Sequence, residues 1–96
     1  MSDLIVTARF VCDPTTLEKA REILNELAIS TRQEMGCLEY GYFERIDAPG
    51  HFTSIERWAN AEAEAAHWEE PHLKVALQGL GPIMVGEAEV EKFNMI

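Results

Sequence analysis

His67 and His72 stand five residues apart, with Pro71 directly before the second, and the segment Glu56-Arg57-Trp58 precedes them. A neutral imidazole near pH 7 can take a proton from a weakly acidic substrate. An indole such as that of Trp58 offers a flat apolar wall, and Glu56 or Tyr40 offers a polar tether. A zinc pair from the two histidines is poorly spaced. HExxH is absent, and both rings reach one ion only if the helix breaks at Pro71. Cys12 and Cys37 form no CxxC and no disulfide framework, so they read as small, semi-buried apolar residues. There is no glycine-rich phosphate loop and no nucleophile-elbow serine. Neither a metal nor an organic cofactor is expected from these residues.

The surrounding composition narrows the partners. The 96 residues fit one domain, and 47% of them are apolar, which suits a packed core. Seventeen acidic against eight basic residues give a formal charge of −9, which argues against nucleic acid and against an anionic membrane surface. No stretch approaches the ~18 apolar residues of a membrane-spanning helix. The segment MSDLIVTARF has neither a basic start nor a cleavable apolar core, so no signal peptide is expected and a reducing cytoplasmic setting is the default.

The elements that must position these side chains follow from periodicity. Leu4 to Val11 reads as a strand with apolar residues on both faces: Leu4, Val6, Ala8 and Phe10 on one, Ile5, Thr7 and Val11 on the other. Asp13-Pro14-Thr15-Thr16 opens a helix, with Thr15 and Glu18 at capping-box spacing. Leu17, Ala20, Ile23, Leu24, Leu27, Ala28 and Thr31 form one apolar stripe, and Gly36 supplies the stop. Cys37 to Ile46 and Phe52 to Trp58 form an antiparallel hairpin around Asp47-Ala48-Pro49-Gly50. Alternation puts Tyr40, Tyr42 and Glu44 on one face of the first of these strands, and Phe52, Ser54, Glu56 and Trp58 on one face of the second. Asn60 caps a helix over Ala61 to Glu70, which Pro71 kinks or restarts as far as Gln78. Ile83 to Phe93 is a fourth strand.

The order β-α-β-β-α-β predicts an α+β, ferredoxin-like fold with a four-stranded antiparallel sheet and both helices on one face. The first strand's second apolar face then needs a cover, and a twin copy of the chain is the simplest one. A homodimer with two sheets packed face to face is therefore expected.

Glu34-Met35-Gly36-Cys37-Leu38-Glu39-Tyr40 resembles the E-x-G-C-x-x-Y segment of antibiotic-biosynthesis-monooxygenase-type domains. Ile55-Glu56-Arg57-Trp58, then Ala66-His67 and Pro71-His72, resembles that family's E-x-W … A-H … P-H pattern. The resemblance spans the chain from first strand to last. It implies a dimeric α+β barrel, in a family that includes cofactor-independent quinol monooxygenases, haem-degrading oxygenases and an isomerase of a sugar phosphate.

On that resemblance the expected activity is oxidation of a small aromatic or quinol-like metabolite with O2, without a cofactor. His72 is then the base, Trp58 the apolar wall, and Glu56 or Tyr40 the polar tether. Trp58 and His72 line one cavity, with His67 near its mouth. Thr7 and Arg9 occupy the strand where relatives place a polar residue against the ligand. No asparagine matches there, which weakens a second reading, a haem-binding or haem-degrading protein with His72 or His67 as ligand. A third is an isomerase of a small metabolite, and a fourth a non-catalytic ligand-binding dimer. The acidity favours neutral, planar, apolar ligands over phosphorylated ones.

Overall fold

The computed structural model describes residues 3–96. Strand β1 (Leu4–Cys12) leads through a 3-10 turn at Pro14–Thr16 into helix α1 (Leu17–Thr31). Asp13, not Thr15, caps this entry: its carboxylate accepts the Thr15 backbone N–H at 2.8 Å. Proline fits here because the first turn needs no N–H from it. Strands β2 (Cys37–Glu44) and β3 (His51–Trp58) form the hairpin. Helices α2 (Ala61–His67) and α3 (Pro71–Leu80) follow, and a second 3-10 turn at Gly81–Ile83 leads to β4 (Met84–Asn94).

The sheet is antiparallel in the order β2-β3-β1-β4, the ferredoxin-like arrangement. The helices pack on one face. Val6, Phe10 and Cys12 of β1, Tyr40 of β2 and Phe52 and Trp58 of β3 point into this layer, where they meet Ala20, Leu24, Leu27 and Ala28 of α1 and Leu73, Ala76 and Leu80 of α3. The apolar stripe of α1 thus faces the sheet, and period-two alternation selects which strand residues it meets.

The same alternation fixes what points away. Thr7 pairs in register with Ile55 and Glu91, and Arg9 with Thr53 and Glu89, so all of them lie on the outer face with Ile5, Phe43 and Phe93. Among the described residues no helix covers that face, and Phe43, Ile55, Val85 and Phe93 are exposed on it.

Two local devices set the positions of the residues that matter below. Gly36 adopts φ +85°, and a Cβ built there would lie 2.5 Å from the Cβ of Ala63. Only glycine allows both the left-handed turn and this close seat of the α1–β2 loop on α2. Second, Pro71 ends the helical run after Trp68 and starts α3 on a new axis. Among the described residues no helix is long and apolar enough to cross a membrane.

Candidate active site

Between the sheet and the helices lies an apolar cavity of about 100 Å³. Its walls are Val6, Ala8 and Phe10 of β1, Met84, Ala88 and Val90 of β4, Leu27 of α1, and Leu73, Leu77 and Leu80 of α3. Polar groups gather on the side made by β2, β3 and α2: Tyr40, Tyr42, Glu56 and His67. Trp68 completes the lining. Its indole N–H donates to the buried Glu64 carboxylate at 2.6 Å, and Lys92 of β4 pairs with the other oxygen at 3.0 Å. This bond set ties α2 to β4 beside the cavity.

Each polar group has a defined environment. Tyr40 and Tyr42 are two residues apart on one face of β2, and their hydroxyls share a hydrogen bond of 2.7 Å. Burial pushes both phenols well above the ordinary tyrosine value, with neighbouring Tyr42 and Glu56 adding to the effect on Tyr40. Both therefore stay neutral, and the pair keeps a proton to donate. The Glu56 side chain is buried on β3. Its Oε2 accepts from the Ser54 hydroxyl at 2.6 Å and its Oε1 from the Trp58 indole N–H at 3.1 Å. The Ser54 hydroxyl oxygen in turn accepts from the Ala8 backbone N–H at 2.9 Å. Desolvation raises the Glu56 carboxyl above its usual range, and the two donated hydrogen bonds oppose but do not cancel that rise.

His67 lies against Trp58 and Tyr40, with ring centroids 5.0 and 5.4 Å apart. Its Nδ1 is 2.8 Å from Oε2 of Glu34, and His72 Nε2 is 2.5 Å from the same oxygen. With the Glu34 oxygen as acceptor, each ring donates an N–H to it, which commits His67 Nδ1 to Glu34 and makes Nε2 the nitrogen outside this bond. Glu34, His67 and His72 are also a group of side chains whose donor atoms converge, within 4.8 Å of one another, closely enough that they could hold a metal ion.

The expected site residues separate into three sets. Tyr40, Glu56 and His67 line the cavity, and Trp58 stands directly behind them, bonded to Glu56 and packed on His67. His72 does not line it with Trp58. The expected positions of the two histidines are reversed: His67 is inside, and His72 sits behind Glu34 in an outer groove with Ser30, Met35, Ala66 and Glu70. The cause is Pro71, which breaks the helix between them. Thr7 and Arg9 are not at the cavity, because their strand parity is opposite to that of Val6, Ala8 and Phe10. Arg9 instead pairs with Glu89 and Glu91 across the outer face, at 2.7 and 3.3 Å.

Glu34 is not among the expected site residues, although it opens the E-x-G-C segment; its contact with both histidines is brought about by the fold and carries no signal in the spacing. Both cysteines are free thiols, and burial pushes Cys37 up to about 11, so neither is an activated nucleophile.

The sequence of residues 3–79 matches the family model described as antibiotic biosynthesis monooxygenase, and the chain belongs to that family. Solved structures agree. A conserved protein from Bacteroides thetaiotaomicron, described as a possible oxidoreductase, is 30% identical with a TM-score of 0.89, covering 98% of each chain. A crystal structure described as an antibiotic biosynthesis monooxygenase is 27% identical, TM-score 0.92, covering 97% of this chain and 98% of its own. A protein from Caulobacter crescentus, named for the same family, shares 23% identity over 99% of this chain and 91% of its own, with a TM-score of 0.93. At that identity the last shows the fold alone. No curated protein matches the sequence.

Proposed function

We propose that this chain is a cofactor-independent monooxygenase that oxidises a small phenolic or quinol-type molecule with O2 inside the apolar cavity. The observation that carries the reading is His67: a ring that lines the cavity, with Nδ1 committed to Glu34 and Nε2 left for a ligand. A hydroquinone gives up electrons far more readily once it has lost a proton. His67 Nε2, rather than His72, takes that proton, and the Glu34 carboxylate stabilises the resulting imidazolium. The substrate anion then reduces O2. One oxygen atom ends on the ring and the other leaves as water, so a quinol and O2 yield a hydroxyquinone and H2O. The electrons come from the substrate ring, so this reaction calls on no metal or flavin.

The remaining residues have supporting roles. The neutral Tyr40–Tyr42 hydroxyl pair is a donor for a substrate oxygen. Glu56, with its raised carboxyl, holds Trp58 against the back of His67. The aliphatic walls take the ring and keep water out. Cavity volume counts against haem: about 100 Å³ is well below the ~300–1,000 Å³ of pockets for drug-sized ligands, and a tetrapyrrole is larger still.

A homodimer belongs to the same reading, formed by two uncovered sheet faces in contact. Its support is the exposed apolar set Phe43, Ile55, Val85 and Phe93 on the face away from the helices. The direct test of activity is oxygen consumption across a panel of hydroquinones and polyphenols. Uptake above the uncatalysed rate with at least one member is expected; no uptake with any of them overturns the reading.

A further inference from the structure

The outer side of the His67 ring meets Glu34 and His72, which belong to no wall of the cavity. We propose that Glu34, His67 and His72 form a binding site for a divalent transition-metal ion of the zinc class, at the back of the cavity and open to the outer groove.

Three separate elements converge on this point: the α1–β2 loop brings Glu34, the end of α2 brings His67, and the first turn of α3 brings His72. Two imidazoles and one carboxylate are a donor set that holds Zn2+ with a coordination position to spare. The donor atoms lie within 4.8 Å of one another, with His67 Nδ1 and His72 Nε2 at 2.8 and 2.5 Å from Glu34 Oε2. Zn–N and Zn–O bonds of about 2.0–2.1 Å require donor separations of about 3.3 Å, so the Glu34 carboxylate has to back away from both rings by under about 1 Å, and the two imidazole nitrogens, within 4.8 Å of each other, have to close on the ion. Glu34 and His67 are nearly buried, with side chains 8% and 4% exposed, while His72 at 25% opens the site to solvent. The groove outside it supplies an entry path.

A second carboxylate completes the arrangement. Metal on His72 Nε2 moves that ring's proton to Nδ1, and Nδ1 already faces Glu70 Oε2 at 3.7 Å. Metal-bound histidines characteristically donate their other N–H to such a carboxylate. The chain's charge of −9 also draws cations to its surface. On His67 the bound ion takes the Nδ1 lone pair and shifts the ring proton to Nε2, so the metal-loaded ring and the base-active ring are alternative states. The metal site stands on its own geometry and does not depend on the oxygenase reading.

The test is titration of the metal-free full chain with Co2+, followed by visible absorption, then displacement by Zn2+ and a control with Mg2+. The expected result is one ion per chain, the d–d bands of low-coordinate cobalt, loss of those bands on adding Zn2+, and no binding of Mg2+. His72→Ala, at a partly exposed position, and Glu34→Gln, which keeps the side-chain shape, are each expected to weaken binding by at least ~10–100-fold, the loss typical of removing even an outer-shell partner. Folding of each variant is checked by circular dichroism. No cobalt spectrum at millimolar metal overturns the proposal. So does binding that a folded His72→Ala and a folded Glu34→Gln both leave unchanged, or Mg2+ binding as tight as Zn2+.

Discussion

Oε2 of Glu34 lies within hydrogen-bond distance of two imidazoles at once, and its contact with His67 Nδ1 leaves Nε2 as the nitrogen outside that bond. A second buried carboxylate nearby is treated differently. Glu56 accepts only the hydrogen bonds of Ser54 and Trp58, and burial raises it. The folded chain therefore holds this proton at pH values where the unfolded chain has lost it. The stability Glu56 contributes is fully present below its ordinary value of 4.5 and is lost as pH rises through its raised value. Glu56→Gln keeps an acceptor and the shape without the ionisation. Urea denaturation at several pH values from about 4 to 7 should show the wild type losing stability relative to Glu56→Gln as pH rises. A difference that stays flat, or grows the other way, would contradict the buried, raised carboxyl.

At the scale of elements, the α1–β2 loop and the break at Pro71 do most of the positioning. Gly36→Ala puts a Cβ within 2.5 Å of the Ala63 Cβ and forces an alanine into φ +85°. The left-handed conformation costs about 1–2 kcal/mol and overpacking a further 1–3 kcal/mol. A loss of about 2–5 kcal/mol in chemical denaturation is expected, together with displacement of Glu34 from His67. A loss under about 0.5 kcal/mol would mean the loop does not seat on α2 as described.

The elements themselves are legible in the sequence because their periods are clean. The α1 stripe at steps of three and four, and the alternation that selects Tyr40 and Tyr42 on β2 and Glu56 and Trp58 on β3, lead straight to the observed core faces. The parity of β1 is not legible. Thr7 and Ile5 look as apolar as Val6 and Ala8, so composition alone does not say which face meets the helices. The two histidines exchange places for a different reason. In an unbroken helix, residues five apart lie about 140° apart around the axis. How Pro71 re-aims the next helix is decided by tertiary packing, and with it which ring enters the cavity.

For the whole molecule, the sheet's outer face is left uncovered by any helix among the described residues, with Phe43, Ile55, Val85 and Phe93 exposed on it. Ile55 sits at its centre on β3, paired with Thr7 of β1 and Gly41 of β2. A dimer formed through this face should be split by Ile55→Lys, which buries an unpaired charge at the interface without touching the helix layer. Sedimentation equilibrium should report a dimer for the wild type and a folded monomer for the variant. A wild-type monomer at tens of micromolar, or a variant that stays dimeric, would remove the sheet-to-sheet pairing.

The proposed oxygenase chemistry rests on one residue, and the most direct measurement is of His67. Steady-state O2 uptake with the most active hydroquinone should be compared between wild type and a folded His67→Gln variant. A positioned general base typically contributes 10²–10⁴-fold, so kcat is expected to fall by at least about 100-fold. A kcat within about threefold of wild type would contradict the assignment of His67 as the base.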